Sequence, residues 1–593
     1  MRTVPAPLPG AVAALLLWAP GSLQAQTRPL SRGDSADLVK AARNKQKDFE
    51  MFRQSRIPVA ADREQGGCDQ SIGRICIWFG GEREADFPPE RPEVEVARRE
   101  LLQVLATAGE QVRDPWILGQ WVHYLVQGGD AQGAERVARA CDLAASWWCS
   151  ALLGYALHVR GDFVGAEEAF REAATTLPKD ERERWLTARY ILTRDGQRDL
   201  ERGTPEERQR RWELFWRLSD PLFLVEGNDR LTDHFARWVE AENESDAENP
   251  QGMFWEEDLE ETLVRYGRLV GYSRTHSPAS MMRGGRMQLQ DTRRVVGHHQ
   301  PQSRGYLFPE EFLRSPSDIP PESWLTAPRE ARTWYAPPYA PDFHGLETQV
   351  GRFRRGDELL VVGAYRPTLP TGDTATPGAV EPAQVPGPVQ AGLFLVPADG
   401  EEGGAEVRGT DASGVLTLTA PPGRYVSSLE VLDAPGRRAW RARQGIRQVA
   451  LVPGLVAVSD LLILEDGAPF PASLEEALPH VRPGVRLRRG ERFTVVWEVY
   501  GLRVEQTAQV TLGFTAGRPA FLSRVGDFLG VLEPDRPVEV AFEDPGATGV
   551  QSAFRAITLE LPDLEPGEYT LHLRLELPGR EPAIASRPIV VEG

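Results

Sequence analysis

Between about residue 92 and residue 178, the apolar positions of the chain recur at spacings of three and four, as at Leu101, Leu102 and Leu105. This spacing puts apolar side chains on one face of a helix, so it predicts a series of amphipathic helices. The helical pattern continues toward residue 220. Pro221 should end it, because proline lacks the amide hydrogen that a helix interior needs.

Two stretches of the helical region are similar to each other. QGGDAQGAERVARAC at 127–141 aligns with VRGDFVGAEEAFREA at 159–173, and the first Gly-Asp pair, at 129, precedes the second, at 161, by 32 residues. Each pair lies between an aromatic-rich and an alanine-rich segment. The pattern resembles tetratricopeptide repeats over about 85 residues. That resemblance implies stacked helical hairpins with a short concave groove for a peptide.

From Gln349 onward the apolar period changes to two, which is typical of strands with one buried face. Runs such as ELLVVGAY, GVLTLTAP and LVAVSDLLIL are separated by Gly, Pro and Asp turns. A second β-rich unit begins near Val485 with RFTVVWEVYGL after a short lead-in. Its short strands resemble those of immunoglobulin-like or fibronectin type III sandwiches.

These patterns predict a multidomain α+β protein, because 593 residues exceed what one hydrophobic core organises. Helical repeats form its front, a small mixed domain its middle and β-sandwich domains its rear. The predicted segments are a signal peptide at 1–25, a lead-in with a disulfide-closed knot at 26–91, a helical repeat domain at 92–211, a mixed domain with a long loop region at 212–345, a first β-sandwich at 346–466 and an immunoglobulin- or fibronectin-like β-sandwich at 480–593.

The first residues have the organisation of a secretory signal. Arg2 precedes a short apolar run at 11–18, and small residues follow up to a predicted cleavage after Ala25. No later stretch approaches the roughly 18 uninterrupted apolar residues of a membrane-spanning helix. We therefore expect an exported protein, periplasmic or extracellular, with no transmembrane segment in the mature chain.

The cysteines support export, because they form two closely spaced pairs. The pairs are Cys68 with Cys76 and Cys141 with Cys149. Local disulfides are the simplest pairing, and they persist in an oxidising compartment. A four-cysteine zinc site is the alternative, although its ligand pairs are usually only two to four residues apart.

Charge and missing motifs exclude several function classes. A net charge of −18 repels nucleic acid phosphates, so we predict no nucleic acid partner. Lys179 is the last lysine, so no Schiff-base or phosphate-loop lysine can follow it. The H-E-x-x-H, G-x-S-x-G and G-x-x-x-x-G-K-[ST] signatures are absent, although distant residues can still assemble a catalytic site. We predict no cofactor.

Residues 212–272 resemble the GWxTD domain, a bacterial domain of unassigned function. FWRLSDP, GNDRLTDHFARWVEAENE and GMFWEEDLEETLVRYG carry the resemblance. Phe254 and Glu257 depart from it, because they stand where the family has Gly and Thr. The positions that match the family pattern are Phe215, Trp216, Asp220, Pro221, Trp255, Asp258, Arg265, Tyr266 and Gly267.

Two charged stretches are candidate sites. WEEDLEE at 255–261 is either a cation or acid-base site or, as we favour, a solvated acidic turn. A basic stretch at 283–304 is either a solvated loop or a site for an anionic ligand, since guanidinium groups suit carboxylates and phosphates. Its candidate anion-binding residues are Arg283, Arg286, Arg293 and Arg294.

The hypothesis that we favour is an exported, non-enzymatic interaction or scaffold protein of the cell envelope, with a protein or peptide as its partner. Each recognisable module is a binding or structural type, which is an argument by analogy of fold. One alternative is an enzyme of unknown class with a site between the 212–345 segment and the β domains. Another is a carbohydrate- or peptide-binding module in the final sandwich.

Overall fold

A computed structural model gives the fold. It describes residues 32–58, 70–77, 89–283, 286–299, 309–324, 331–370, 380–382, 385, 388–400, 403–448, 455–517, 539–546 and 552–592, with the backbone alone at 275–283, 286–294, 370 and 380–382. The predicted signal peptide and Cys68 lie outside these residues. The protein is a multidomain α+β protein, with helices concentrated in its N-terminal half and β-sheets in its C-terminal half.

Helices dominate the chain up to residue 266. They are α1 (Arg32–Arg56), α2 (Pro92–Gln111), α3 (Pro115–Gln127), α4 (Ala131–Arg139), α5 (Ser146–Arg160), α6 (Phe163–Thr176), α7 (Lys179–Trp185), α8 (Arg194–Leu200), α9 (Pro205–Ser219), α10 (Asp229–Ser245) and α11 (Glu257–Tyr266), with α12 (Leu474–Ala477) near the rear. Helix α9 stops just before Pro221, as its sequence predicts.

The two similar stretches form two similar helical hairpins, α3–α4 and α5–α6. Gly129 and Gly161 have positive φ values of 82° and 83°, a conformation that glycine adopts without strain. Asp130 and Asp162 then cap the second helix of each hairpin by accepting a hydrogen bond from the amide three residues later. The same turn chemistry therefore builds both hairpins.

A disulfide joins these hairpins. Cys141 follows α4 and Cys149 lies in the first turn of α5, with their Cα atoms 5.5 Å apart. The predicted pairing of Cys141 with Cys149 is therefore confirmed. Cys76 is also disulfide-bonded, while its predicted partner Cys68 lies outside the described residues.

Four of the described strands precede residue 300, and the others follow from residue 342 onward. They are β1 (Gln70–Ile72), β2 (Ile75–Ile77), β3 (Leu269–Arg283), β4 (Arg286–His299), β5 (Asp342–Arg355), β6 (Glu358–Pro370), β7 (Val380–Pro382), β8 (Gln390–Pro397), β9 (Ala405–Gly409), β10 (Gly414–Ala420), β11 (Arg424–Asp433), β12 (Arg438–Arg447), β13 (Ala457–Val458), β14 (Leu462–Ile463), β15 (Arg486–Arg488), β16 (Arg492–Tyr500), β17 (Thr507–Ala516), β18 (Glu539–Pro545), β19 (Ser552–Glu560), β20 (Gly567–Glu576) and β21 (Ala583–Glu592).

The first β unit is one curled sheet in the order β10-β6-β5-β12-β11-β8-β9, with β7 paired to β6. The second unit has two sheets. Strand β16 pairs with β13, β14 and β19, and the other sheet has the order β15-β21-β20-β17-β18. Trp497 of β16, Val510 of β17 and Leu571 of β20 share one buried core between these sheets, which makes a sandwich. The run LVAVSDLLIL supplies β13 and β14, so it pairs with this second unit.

The predicted long loop region is wrong over residues 276–299. Strands β3 and β4 form a long antiparallel hairpin there, in which Met282 pairs with Met287. The sequence is poor in the alternating apolar residues that mark a half-buried strand. The Gly284-Gly285 pair between the two runs is a hairpin signal in the sequence. The apolar pattern alone does not indicate these strands.

Candidate functional site

Helix α10 lies at the centre of the helical half. It contacts α3 and α5, the first helices of the two repeat hairpins, and also α6. Gln120 of α3 donates a hydrogen bond from Nε2 to the Asn243 carbonyl at 2.6 Å. The helical hairpins therefore hold a helix of their own chain on this side.

One side of α10 borders a large cleft of about 940 Å³, which we call the cleft. Helices α6, α9 and α10 form one wall, and strands β8 and β9 form the other. Much of its surface is apolar and aromatic. The aromatic side chains that line it are Phe170, Trp212, Trp216, Phe223, Phe235 and Phe394.

Arg217 brings an isolated positive charge into the cleft. Its half-buried guanidinium donates one hydrogen bond from Nη2 to the Gly403 carbonyl at 2.8 Å. Burial alone lowers the pKa of Arg217, with no neighbouring carboxylate to raise it. Among the described residues, Arg217 forms no ion pair. Two carboxylates that also line the cleft have other partners: Glu213 accepts a hydrogen bond from Gln209, and Glu406 pairs with Arg408.

The other side of α10 borders a small cavity of about 160 Å³, which we call the charged cavity. Its ionisable lining residues come from α5, from α10, from the end of α11 and the residues after it, and from the segment before β5. They are Tyr155, His158, Asp233, Arg237, Glu240, Tyr266, Arg268 and Tyr335.

Most of these groups are already satisfied. Asp233 accepts ion pairs from Arg230 at 3.0 Å and from Arg237 at 2.8 Å. Arg237 also donates to the carbonyls of Val264, Arg265 and Trp334. Burial lowers the pKa of His158 to about 4, so its ring is neutral at pH 7. These groups therefore line the cavity with partners already in place.

Glu240 differs from its neighbours. It is 4% exposed, and it has no hydrogen bond or ion pair within the described part of the chain. Burial raises the pKa of this carboxyl to about 7, against an opposing effect of the nearby Arg268 guanidinium. The side chain therefore changes its charge near neutral pH.

The family-motif residues lie around α10 without forming one site. Phe215 and Trp216 are buried in the core of the helical half, and Trp216 also lines the cleft. Asp220 and Pro221 face the first β unit, where buried Arg441 donates to the Pro221 carbonyl at 2.9 Å. Burial and the neighbouring Asp229 raise the pKa of Asp220 well above its usual range.

The next two matching residues, Trp255 and Asp258, lie just before and within α11, the helix that follows α10. Trp255 packs against the core of the helical half, and Asp258 pairs with Arg74 of the β1–β2 hairpin at 2.6 Å. Hydrogen bonds from Arg74 lower the pKa of Asp258 to about 2. Asp258 thus stabilises a contact between distant segments, and the idea of an acid-base pair in 255–261 gains no support.

Arg265, Tyr266 and Gly267 also have structural contacts. Arg265 donates to the Arg332 carbonyl, and Tyr266 donates from its hydroxyl to Gln70 Oε1 at 2.7 Å. Gly267 has φ of 85°, and a Cβ there would lie 3.0 Å from an Arg237 nitrogen. On β4, His298 Nε2 lies 2.6 Å from the Ser273 hydroxyl of β3.

The predicted anion-binding arginines lie on the β3–β4 hairpin. Arg283 pairs with Arg286 across the two strands, and Arg293 and Arg294 pair with His276 and Thr275. Their side chains lie outside the described part, so the anion site stays a prediction. Within the described residues, no group of three or more His, Cys, Asp or Glu side chains could hold a metal ion.

Sequence reasoning did not find Arg217, Glu240 or Arg268. In the sequence, Glu240 is part of a charged stripe that also includes Asp233 and Arg237 and that suggests a solvated helix face. Its burial follows from packing against α10 by elements such as α5, which local sequence does not reveal.

Comparisons with known proteins add little to this description. No family model matches the chain, and no curated protein matches it. A crystal structure of red sea bream transglutaminase is similar over 42% of this chain and 31% of its own, at 10% identity and a TM-score of 0.13. Thus the chain spans about a third of that protein. A structure of the chicken CNTN1 FN1–FN3 domains is similar over 44% of this chain and 70% of its own, at 12% identity and a TM-score of 0.13.

No described helix has both the length and the apolar character needed to cross a membrane. The chain is a multidomain α+β protein whose β-rich half follows its helical half, as its sequence patterns predict.

Proposed function

We propose that this is an exported, non-enzymatic interaction protein that binds a peptide segment of a partner protein in the cleft. The observation that carries the proposal is Arg217, a half-buried cation without an acidic partner among the described residues, set among aromatic side chains. A buried cation without a counter-charge is costly, and an incoming carboxylate would relieve that cost.

A peptide suits the cleft better than a compact metabolite does. At about 940 Å³ the cleft lies near the upper end of the range for small-molecule pockets. Aromatic walls favour large apolar side chains, and a guanidinium favours a carboxylate in bidentate geometry. A segment with apolar residues around one Asp or Glu, or around its own C-terminal carboxylate, combines both features.

Export is supported by the N-terminal signal pattern and by the disulfide between Cys141 and Cys149. The net charge of −18 favours a protein or peptide partner over nucleic acid. We infer further that residues 212–272 are a divergent GWxTD domain. The matching residues flank α10 in the sequence, in and just after α9 on one side and around α11 on the other.

The test is affinity selection of a synthetic heptapeptide library in which apolar residues surround one Asp or Glu. Peptides recovered with the wild-type protein are labelled, and their dissociation constants are measured by fluorescence anisotropy. A charge-assisted hydrogen bond contributes about 1.5–3 kcal/mol, so Arg217→Gln should weaken binding by roughly 10- to 150-fold.

Arg208→Gln is the matched control, because Arg208 lies on the same helix and is exposed. It should bind the selected peptides as the wild type does. Recovery of no peptide, or equal binding by the Arg217→Gln variant, would contradict the proposal. Turnover by the wild-type protein in a broad hydrolase screen would contradict its non-enzymatic part.

A further inference from the structure

The charged cavity contains polar groups that the protein leaves without partners. Glu240 is 4% exposed, lines the cavity and has no hydrogen bond or ion pair within the described residues. The Tyr155 hydroxyl lies beside the Arg268 guanidinium. Yet neither that oxygen nor Arg268 Nη1 completes a hydrogen bond of normal geometry with the described part of the chain. Orphaned buried polar groups are costly, and they usually mark a bound water or ligand.

The two unsatisfied ionic groups have opposite charges. The Glu240 carboxylate and the Arg268 guanidinium attract each other, but they form no ion pair. Asp233 and Arg237 pair with each other, and His158 is neutral. Among the described lining residues, one acidic and one basic group therefore remain to bind a ligand.

The size of the cavity restricts that ligand. A volume of about 160 Å³ corresponds to about five water molecules at roughly 30 Å³ each. Val270, which is 45% exposed, also lines the cavity and indicates that one side reaches the surface. A molecule of about five to seven heavy atoms would fill this space.

We propose that the charged cavity binds a small zwitterionic amino acid, with its ammonium group on Glu240 and its carboxylate on Arg268. A guanidinium suits a carboxylate because its parallel N–H groups can donate to both oxygens. A cation alone would be repelled by Arg268, and an anion alone by Glu240. The site lies on the opposite side of α10 from the cleft, so this inference does not rest on the proposed function.

The test is isothermal titration of the full exported chain with glycine, alanine and serine, at pH 8 where Glu240 is ionised. Acetate and methylamine each carry one of the two charges, and phenylalanine is too large for the cavity. Binding of at least one small amino acid is expected, with at least tenfold weaker binding of acetate, methylamine and phenylalanine.

Variants assign the binding to the cavity. Glu240→Gln and Arg268→Gln should each weaken amino acid binding at least tenfold. Glu242→Gln should leave it unchanged, because Glu242 lies on the same helix but pairs with Arg184 outside the cavity. If no small amino acid binds the wild type, or if acetate or methylamine binds as well as glycine, the proposal is overturned. The proposal is also overturned if Glu240→Gln folds and binds the amino acid as tightly as the wild type does. If Glu240→Gln does not fold, the wild-type titrations with amino acids, acetate and methylamine test the proposal.

Discussion

A buried ion pair between Arg443 of β12 and Glu430 of β11 lies where the first β unit contacts the helical half. Both side chains are 0% exposed, and Arg443 Nη2 lies 3.3 Å from Glu430 Oε1. Arg443 also donates from Nη1 to the Leu218 carbonyl at the end of α9, at 2.8 Å. We predict that Arg443→Met strongly destabilises the protein, because it leaves the Glu430 carboxylate buried without its counter-charge.

The structure sets the size of this effect. Removing one partner of a buried ion pair costs about 3–5 kcal/mol. Glu430 keeps hydrogen bonds from Ser428 Oγ at 2.5 Å and from the Leu224 amide at 3.1 Å, so we expect the lower part of that range. In the double variant Arg443→Met with Glu430→Gln, the Glu430 side chain is neutral and no longer needs a counter-charge. Its cost should fall to about 1–2 kcal/mol, the cost of imperfect hydrogen bonding.

Urea unfolding at pH 7.5, followed by tryptophan fluorescence and far-ultraviolet circular dichroism, measures the free energy of unfolding. Arg198→Met is the matched control, since it breaks an exposed ion pair with Asp195 and should cost under about 1 kcal/mol. The reasoning is refuted if Arg443→Met is as stable as this control. It is refuted equally if the double variant is no more stable than Arg443→Met.

Three further predictions concern a buried carboxyl group, an ion pair and a disulfide. The pKa of Glu240 rises from 4.5 to about 7 on folding, so the free energy of unfolding should fall by about 3 kcal/mol between pH 4.5 and pH 8 through this group. Urea unfolding at both pH values measures this fall in the free energy of unfolding. It should be smaller in Glu240→Gln than in the wild type by about 3 kcal/mol. Asp258→Asn removes the ion pair with Arg74, and hydrogen exchange should then be faster in the β1–β2 hairpin but unchanged in the second β unit. Ser substitution of Cys141 and Cys149 together opens a short loop, which should cost about 2–3 kcal/mol and lower the thermal midpoint of the helical half in calorimetry.

Local chemistry explains which features the sequence predicts well. A Gly-Asp turn needs a glycine with positive φ and an aspartate that caps the next helix, and both lie within four residues. The same holds for the end of α9 before Pro221 and for the pairing of Cys141 with Cys149. Each of these features depends on neighbours in sequence, so pattern and turn chemistry are enough.

Other features depend on contacts between distant segments. Asp258 looks like part of a solvated acidic turn, and its partner Arg74 is 184 residues away. The β3–β4 hairpin has a weak apolar periodicity in its sequence, and its strands are recognised from their backbone pairing. Glu240 and Arg217 become unusual only because packing shields them from water without giving them an ion-pair partner among the described residues, which no local pattern encodes.

Photo-crosslinking would test the central claim most directly. A peptide selected with the wild-type protein is synthesised with a benzoylphenylalanine beside its acidic residue, irradiated in the complex and mapped by mass spectrometry. We predict crosslinks to the cleft, within residues 209–235 or 394–406, and loss of these crosslinks in Arg217→Gln but not in Arg208→Gln. Crosslinks confined to residues 480–592, or crosslinks that Arg217→Gln leaves unchanged, would contradict peptide binding in the cleft.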